Sequence, residues 1–227
     1  IYYLTRCNIS LAMNLKVLKR RVGRDCFSLI FKKPAGFSFY PGQYLDIKLG
    51  GDTRAFTISS SPTEDFLMIT TKKGISPFKK YLELLKAGDT VDSSHPAGTF
   101  ILDELSPAVF LAGGIGITPF RSMIKYAVTN KIKTPITLIY SNSDNNFLFK
   151  EELNAWQKNY PKLEIIYINT VQHGRLKTLP TSPSGARYQL PIYYLAGSPS
   201  FVDDMEKILL EIGLDEINIR YDRFDGY

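Results

Sequence analysis

The chain has 227 residues, of which 44% are hydrophobic and 22% are charged, and its net charge is +6. This composition excludes a disordered chain and allows one large domain or two of ordinary size. The lysines and arginines are dispersed, the longest basic cluster is Lys19-Arg20-Arg21, and no nucleic-acid recognition module is visible. We therefore expect no nucleic-acid partner.

The metal-ligating residues are few. Cys7, Cys26, His95 and His173 are the only cysteines and histidines, which excludes a four-cysteine iron–sulfur or zinc site made by this chain alone. No metal site is expected. The lack of a disulfide framework fits a reducing compartment, so a cytoplasmic location is expected. No run is long enough to span a bilayer.

Residues 14–103 have the pattern of β-structure. Alternating or apolar runs separated by turn residues predict six short strands, at 14–19, 26–31, 43–49, 54–60, 66–72 and 90–92. Helical spacing predicts one helix at 78–85, and the apolar run 100–102 closes this half. We expect a small antiparallel β-barrel over 13–104 with one capping helix, preceded by an N-terminal extension or fragment at 1–12.

From residue 106 the period changes to alternating strands and helices. The predicted strands are 109–112, 136–140, 163–168, 192–196 and 217–220, and the predicted helices are 119–129, 149–160 and 200–212. This alternation predicts a parallel sheet covered by helices on both faces, over 105–227. Ligands of such sheets bind outside the carboxyl ends of the strands, so the loops after the first and fourth strands should meet at one edge.

The loop after the first of these strands is rich in glycine. The strand runs through Gly113, Gly114 and Gly116 into a helix, with Thr118 as the expected N-cap and Pro119 at the first helical position. Unpaired N–H groups and the positive end of a helix would then point at one place, which suits a phosphate. Taken alone, the same pattern is also typical of a connection that binds nothing.

A second candidate site lies on a barrel strand. Arg54 offers a planar fork that matches phosphate oxygens, and Phe56, two residues on, points to the same face of the strand. Thr57 adds a hydroxyl beside them. In isolation these residues also fit an exposed arginine and a core phenylalanine on any strand.

Residues 54–59 resemble the Arg-x-aromatic-Ser/Thr signature of the ferredoxin–NADP reductase family. Further resemblances follow in the family's order, at Pro41-Gly42-Gln43, at 72–79, at Gly98-Thr99-Phe100, at 113–119, at 196–199 and in the aromatic tail 224–227. Together they cover about residues 14–227. The resemblance implies a six-stranded Greek-key barrel that binds FAD, followed by a parallel α/β domain that binds NADH or NADPH.

The resemblance also implies roles for particular residues. Those expected to bind FAD are Arg54, Ala55, Phe56, Thr57, Thr70, Thr71, Gly74, Pro77, Phe78, Lys79, Phe224 and Tyr227. Those expected to bind the nicotinamide nucleotide are Gly113, Gly114, Gly116, Thr118, Pro119, Asp144, Gly197, Ser198 and Pro199. Thr57 is the expected catalytic residue. Phe224 or Tyr227 is expected to cover the flavin ring until the nicotinamide displaces it.

The chain departs from the family pattern at two places. Ala196 stands where many members have a cysteine near the nicotinamide, so hydride transfer must be slower or rely on Thr57. Lys79 and Lys80 stand where many members have serines in the second pyrophosphate loop. We expect the Lys79 charge and the backbone amides of Phe78 and Lys79 to hold phosphate there.

The choice of nucleotide depends on the residues after the strand 136–140. Ser143 stands about where NADPH enzymes of this group often have an arginine for the 2′-phosphate. Asp144 would accept a hydrogen bond from a ribose 2′-hydroxyl and repel a phosphate, which favours NADH. The alternative is a polar loop that caps the next helix, with Arg175 or Arg121 supplying affinity for the phosphate of NADPH.

The expected function is an NAD(P)H-dependent flavoprotein reductase that passes electrons to a protein carrier such as ferredoxin or flavodoxin. The positive charge of the chain favours an acidic carrier. Two alternatives stay open: a free-flavin or ferric reductase that needs no protein partner, and a non-catalytic flavin- or nucleotide-binding subunit. Salt-sensitive reduction of a carrier, activity with small dyes alone, and flavin binding without reduction would distinguish the three.

Overall fold

The computed structural model describes residues 13–174 and 190–224. The first half holds one helix, α1 (Pro77–Leu84), and the six strands of an antiparallel sheet. The strands are β1 (Met13–Val22), β2 (Cys26–Lys32), β3 (Tyr44–Leu49), β4 (Asp52–Thr57), β5 (Phe66–Lys72) and β6 (Thr90–Ser93).

The six strands curl into a nearly closed barrel. Their order is β4-β3-β6-β1-β2-β5, so β6 returns between β3 and β1. A bridge between Ile58, just past β4, and Ile69 of β5 brings the two edge strands together. Closing the sheet removes its exposed edges and encloses alternate apolar side chains, among them the fully buried Leu15 and Leu45. The predicted barrel is confirmed.

The helix α1 covers one end of the barrel. Its N-terminus is capped by Ser76, whose hydroxyl accepts a hydrogen bond from the amide of Lys79, and Pro77 occupies the first turn. Phe78 and Leu82 are buried against the barrel core, whereas Tyr81 and Leu84 on the other face are exposed.

The second half is a parallel sheet with helices. Its strands are β7 (Ala108–Gly113), β8 (Ile136–Asn142), β9 (Leu163–Asn169), β10 (Ile192–Gly197) and β11 (Ile219–Arg223). Its helices are α2 (Ile117–Asn130), α3 (Lys150–Asn159), the four-residue α4 (Thr170–His173) and α5 (Pro199–Glu211). Two separate apolar clusters, one on each face of the sheet, bury the strands as expected for a doubly covered parallel sheet.

The strand order β11-β10-β7-β8-β9 defines where a ligand can bind. The chain runs from β7 outward to β8 and β9, and it then crosses to β10 and β11 on the other side. The carboxyl ends of β7 and β10 are therefore adjacent strand ends whose connections leave in opposite directions. Such a switch point opens a crevice at the sheet edge. Both predicted glycine loops lie there, as expected.

Three local predictions were wrong. The helix α2 begins at Ile117, so Thr118 and Pro119 lie inside its first turn and Gly116 is the residue before it. The glycine loop itself forms a 3₁₀ turn at Gly114–Gly116 that leads directly into the helix, and Thr118 donates its hydroxyl to the Ile115 carbonyl instead of capping. The predicted strand 217–220 begins later, because Ile217 belongs to the 3₁₀ turn Glu216–Asn218 before β11.

Within the ranges that the structure describes, no helix is long and apolar enough to cross a bilayer. The predicted domain bounds stay a prediction, and residues 1–12 lie outside the described ranges, as do Arg175 and Tyr227.

Candidate functional site

A cavity of about 880 Å³ lies between the barrel and the switch point of the parallel sheet. This volume is near the upper end of what ligand pockets usually have, about 300–1,000 Å³. Predicted residues from both halves line it together, namely Arg54, Ala55, Phe56, Thr57, Thr70, Thr71, Lys79, Gly113, Gly114, Thr118, Ser198, Pro199 and Phe224. The cavity is therefore where the barrel motif and the glycine loops meet.

Arg54 and Phe56 form the barrel wall of the cavity. The Arg54 guanidinium donates from Nε to Asp52 Oδ2 at 2.9 Å and from Nη1 to Ser76 Oγ at 3.2 Å. It also lies 4.9 Å from the centre of the Phe78 ring. The Phe56 and Phe78 rings stack 5.9 Å apart at 18°. Phe56 therefore belongs to both the barrel core and the cavity wall, and Phe78 supports it from behind.

Three cationic side chains gather at this wall, those of Arg54, Lys72 and Lys79. Burial lowers the pKa of Lys79, and the nearby charges of Arg54 and Lys72 lower it further. The glycine at position 74 makes room for the lysine, since an added Cβ would lie 2.6 Å from Lys79 Cδ. Three cations that repel one another across a shared cavity form a site suited to a phosphate or pyrophosphate group.

The three threonines of the barrel wall differ in what their hydroxyls contact. The Thr70 hydroxyl lies 2.9 Å from Ser28 Oγ and 3.0 Å from Ser59 Oγ, on the sheet face opposite to the apolar barrel core. The Thr71 hydroxyl donates to the Lys72 carbonyl at 3.4 Å. Thr57 is half-buried at the end of β4 beside Phe56. The role of its hydroxyl beside a flavin stays a prediction.

The glycine loop after β7 is shaped by close contacts. An added Cβ at Gly113 would lie 2.6 Å from the Phe201 ring, and one at Gly116 would overlap the Ala196 carbonyl oxygen. Gly114 has φ +54°, in the left-handed region that favours glycine. The loop therefore packs against the end of β10 while the N-terminal part of α2 faces the cavity.

The loop after β10 completes the nucleotide side of the cavity. Ser198 caps α5 by accepting a hydrogen bond from the Phe201 amide at 3.3 Å. The amide of Phe224 donates to the Gly197 carbonyl at 2.8 Å, so the chain beyond β11 is attached to this loop. Phe224 thereby reaches the cavity from the end of the described chain.

Several predicted residues shape the site without lining the cavity. This group comprises Gly74, Pro77, Phe78, Gly116, Pro119 and Gly197. Asp144 does not line it either, because its carboxylate serves its own loop. Its Oδ1 accepts from the Asn146 amide at 2.9 Å and from Asn142 Nδ2 at 3.0 Å, and its Oδ2 lies 3.9 Å from Arg24. The Asp144 carboxylate is thus used within its own polar loop, but that loop does not cap α3, whose N-cap residue is Phe149 without a side-chain hydrogen bond. Ser143, the neighbouring residue, does line the cavity.

Arg121 also lies away from the cavity, because it is 2% exposed and is held between the two halves of the chain. The suggestion that it holds the extra phosphate of NADPH was wrong. The sequence around a single helical arginine does not distinguish one that is buried between two halves of a chain from one that binds a phosphate in a cavity.

Sequence reasoning missed many polar residues of the cavity, among them Tyr44, Lys72 and Asp222. Burial raises the pKa of Asp222 to about 6. Burial and the carboxylates of Asp46 and Asp222 raise the pKa of Tyr44. Lys72 could have been found from the sequence, since it ends β5 and begins the motif at 72–79. Asp222 could not, because the residue pattern of β11 does not indicate which face of the sheet its side chain lies on.

Comparisons with known proteins identify chains similar to this one. A family model described as an oxidoreductase NAD-binding domain matches residues 110–207. A flavohemoprotein of Bacillus subtilis is 30% identical over 206 residues, which are 82% of this chain and 51% of that protein. The ferredoxin reductase component of a 3-ketosteroid-9-alpha-monooxygenase from Rhodococcus rhodochrous is 28% identical, with 89% and 62% covered.

The fold is shared with a solved structure, the flavohem-like FAD/NAD binding domain of nitric oxide dioxygenase from Vibrio cholerae. The TM-score is 0.79 at 20% identity, and the match covers 93% of this chain and 98% of that one. The chain spans about half to three fifths of the length of the two curated relatives. The motifs, the two-part fold and the relatives show that the chain belongs to the ferredoxin–NADP(+) reductase-like family of FAD- and NAD(P)-binding oxidoreductases.

Proposed function

We propose that the chain is an NAD(P)H-dependent flavoprotein reductase that holds FAD in the cavity and passes electrons from the nicotinamide nucleotide to a carrier protein. The observation that supports this most is the meeting of two phosphate-binding features in one cavity. The Arg54, Lys72 and Lys79 cluster lies on the barrel side, and the Gly113–Gly116 loop with the start of α2 lies on the other.

The residues present fit the two cofactors. Arg54 and Lys79 would hold the FAD pyrophosphate, and Phe56 would lie against the flavin ring. The N-terminal part of α2 and the N-terminus of α5 would face the phosphates of the nicotinamide nucleotide. When bound, FAD accepts the two electrons and the proton that NAD(P)H gives up together, and releases electrons singly or as a pair.

The work of the protein is then to position two rings and to exclude water between them. Thr57 would donate or accept a hydrogen bond at the flavin edge. Asp222 holds a proton on its carboxyl group up to a pH of about 6, and it pairs with Ala196 at the end of β10. Ala196 is fully buried and offers no polar group, so the nicotinamide would be positioned by the loops around it.

The relatives support transfer to a protein acceptor, since one of them is named as the ferredoxin reductase component of a monooxygenase. We propose that the carrier is acidic, because this chain has a net charge of +6. The two cysteines of the chain are consistent with a cytoplasmic location. The preference for NADH over NADPH depends only on Asp144, whose carboxylate accepts hydrogen bonds within its own loop. Both nucleotides are therefore tested as electron donors.

The test is an absorbance spectrum of the purified protein, followed without oxygen during separate titrations with NADH and NADPH. Flavin bands that bleach with either nucleotide support the reductase, and the nucleotide that acts at the lower concentration identifies the donor. Bound flavin that neither nucleotide bleaches would leave a binding subunit. A colourless protein that cannot be loaded with FAD contradicts the roles of Arg54 and Phe56.

A further inference from the structure

Arg121 forms a buried link between the barrel and the nucleotide-binding half. It lies in the second turn of α2, four residues after the helix begins. The residue is 2% exposed, and its guanidinium carbon lies 5.3 Å from the centre of the Phe149 ring and 5.4 Å from that of the Trp156 ring. A charge buried to this degree must be paired on every side.

The hydrogen-bonding partners of Arg121 come from the loop between β4 and β5 and from α3. Nη1 donates to the Ser59 carbonyl at 2.8 Å and to Glu64 Oε2 at 2.8 Å, and Nη2 donates to Glu64 Oε1 at 3.1 Å. On the other side, Nε and Nη2 contact Glu152 Oε2 of α3 at 2.9 and 2.7 Å. Burial alone would raise the pKa of Glu64, but the hydrogen bonds and charge of Arg121 outweigh it and lower that pKa.

Ser122, the next residue of α2, contacts the same loop. Ser122 donates its hydroxyl to the Ser60 carbonyl at 2.6 Å. Two consecutive helix residues thus hold two consecutive carbonyls, and these carbonyls lie two and three residues after Thr57. The loop is fixed from the barrel side as well, because the Ser59 hydroxyl donates to the Met68 carbonyl at 3.0 Å.

The helix α2 therefore contacts both regions that are expected to bind a cofactor. Its first residue follows the glycine loop expected to hold the nicotinamide nucleotide. Its second turn holds the loop directly after β4, the strand expected to carry the flavin. We infer that Arg121, assisted by Ser122, is a positioning residue that sets the distance and angle between the nicotinamide and flavin rings. This inference rests on the proposed function.

The step concerned is the transfer of a hydride, which is one proton with two electrons, from the nicotinamide to the flavin. The nicotinamide is oxidised and the flavin is reduced. Its rate depends steeply on alignment, since a misplacement of about 1 Å can cost about 100-fold. Neither Arg121 nor Ser122 lines the cavity. Replacing them should therefore alter the rate of the step and leave the binding of each cofactor in place.

The test compares Arg121→Lys and Ser122→Ala with wild-type protein loaded with FAD. Lysine keeps the charge but lacks the planar fork that reaches Ser59, Glu64 and Glu152 together. Lys125→Gln is the matched control, because Lys125 lies one turn further along α2 and its charge also acts on the Glu64 carboxylate. Its ammonium group lies over the Trp156 ring and is not among the groups that hold the Ser59 and Ser60 carbonyls. Rapid mixing measures the limiting rate of flavin reduction and the nucleotide dissociation constant separately.

For Arg121→Lys we expect a limiting rate lower by about tenfold or more, with nucleotide and FAD dissociation constants within about twofold of wild type. The long-wavelength charge-transfer absorbance of the stacked rings should weaken in parallel. Ser122→Ala should show a smaller loss of both, and Lys125→Gln should keep the wild-type values.

A variant that loses thermal stability but keeps the wild-type rate and charge-transfer band would overturn the inference, as would a variant whose only defect is weaker binding of a cofactor. If Arg121→Lys does not fold, Ser122→Ala decides, and a wild-type rate in that variant overturns the inference. If the wild-type flavin is not reduced by either nucleotide, the proposed function fails instead.

Discussion

At the scale of single residues, the cavity depends on charges held in unusual surroundings. Burial and two neighbouring cations lower the pKa of Lys79, and burial raises the pKa of the Asp222 carboxyl. Such groups are kept where a ligand or a reaction uses them more often than where they only stabilise the fold. Two predictions follow from these two residues.

We expect Lys79→Gln to weaken FAD binding by about tenfold, because it removes one charge-assisted contact to a phosphate, worth roughly 1.5–3 kcal/mol. The matched control is Lys80→Gln, since Lys80 is the next residue of α1 and is exposed. Titration of the flavin-free proteins with FAD, followed by flavin fluorescence, gives both dissociation constants. Equal losses in the two variants would show a general charge effect instead of a phosphate contact.

We expect Asp222 to make the flavin-free protein less stable as the pH rises. The carboxyl has a pKa near 3.8 when unfolded and about 6 when folded, so the folded state binds its proton more tightly. The stabilisation is present below pH 4 and is lost as the pH rises to about 6. Asp222→Asn should therefore raise the free energy of unfolding at pH 8 by about 1–3 kcal/mol.

Urea unfolding of wild type and Asp222→Asn at several pH values between 4 and 8 measures this difference. A difference that does not change with pH would show that the folded Asp222 titrates like an exposed carboxylate.

At the scale of elements, the site depends on how closely the glycine loop approaches β10. Gly116 adopts φ −60°, which any residue tolerates, yet a methyl group there would overlap the Ala196 carbonyl oxygen. The glycine at this position is therefore required by packing between two strand ends and not by backbone conformation. The two loops that face the cavity can approach each other only because neither carries a side chain at the contact.

We expect Gly116→Ala to push the loop and β10 apart, lowering the free energy of unfolding by about 1–3 kcal/mol and weakening nucleotide binding. Gly213→Ala is a useful comparison, because Gly213 has φ +85° and open space around its Cα, so it tests backbone strain alone. Chemical denaturation and nucleotide titration of both variants separate the effects. Unchanged nucleotide binding in Gly116→Ala would contradict the shape assigned to the loop.

At the scale of the whole molecule, the net charge of +6 governs encounters with a carrier protein. Exposed charges are screened over about 10 Å at 0.1 M salt, so an acidic carrier should be reduced more slowly as salt is added. We expect kcat/KM for such a carrier to fall by about tenfold between 0.05 and 0.5 M salt. A small neutral dye serves as the control acceptor, and an equal salt effect on both acceptors would argue against electrostatic docking.

Patterns that repeat within a few residues determined much of this molecule. Alternation and helical spacing predicted the barrel strands and the parallel sheet, because burying one face of a strand or helix imposes a period on the chain. The strand–helix alternation predicted that the two glycine loops share one sheet edge, because the carboxyl ends of parallel strands meet there. That Arg54 and Phe56 face the same site was implied by the family resemblance alone. Arg54, Phe56 and the glycine loops therefore lie where the sequence indicated.

Only the tertiary structure decided which polar residues reach that cavity. Asp144 turns to Asn142 and Asn146, Asp222 enters the cavity from an edge strand, and Arg121 links Glu64 to Glu152. Even the start of α2 depends on the 3₁₀ turn that the glycines adopt against β10. Each of these outcomes depends on neighbours that folding brings from elsewhere in the chain, which no local period encodes.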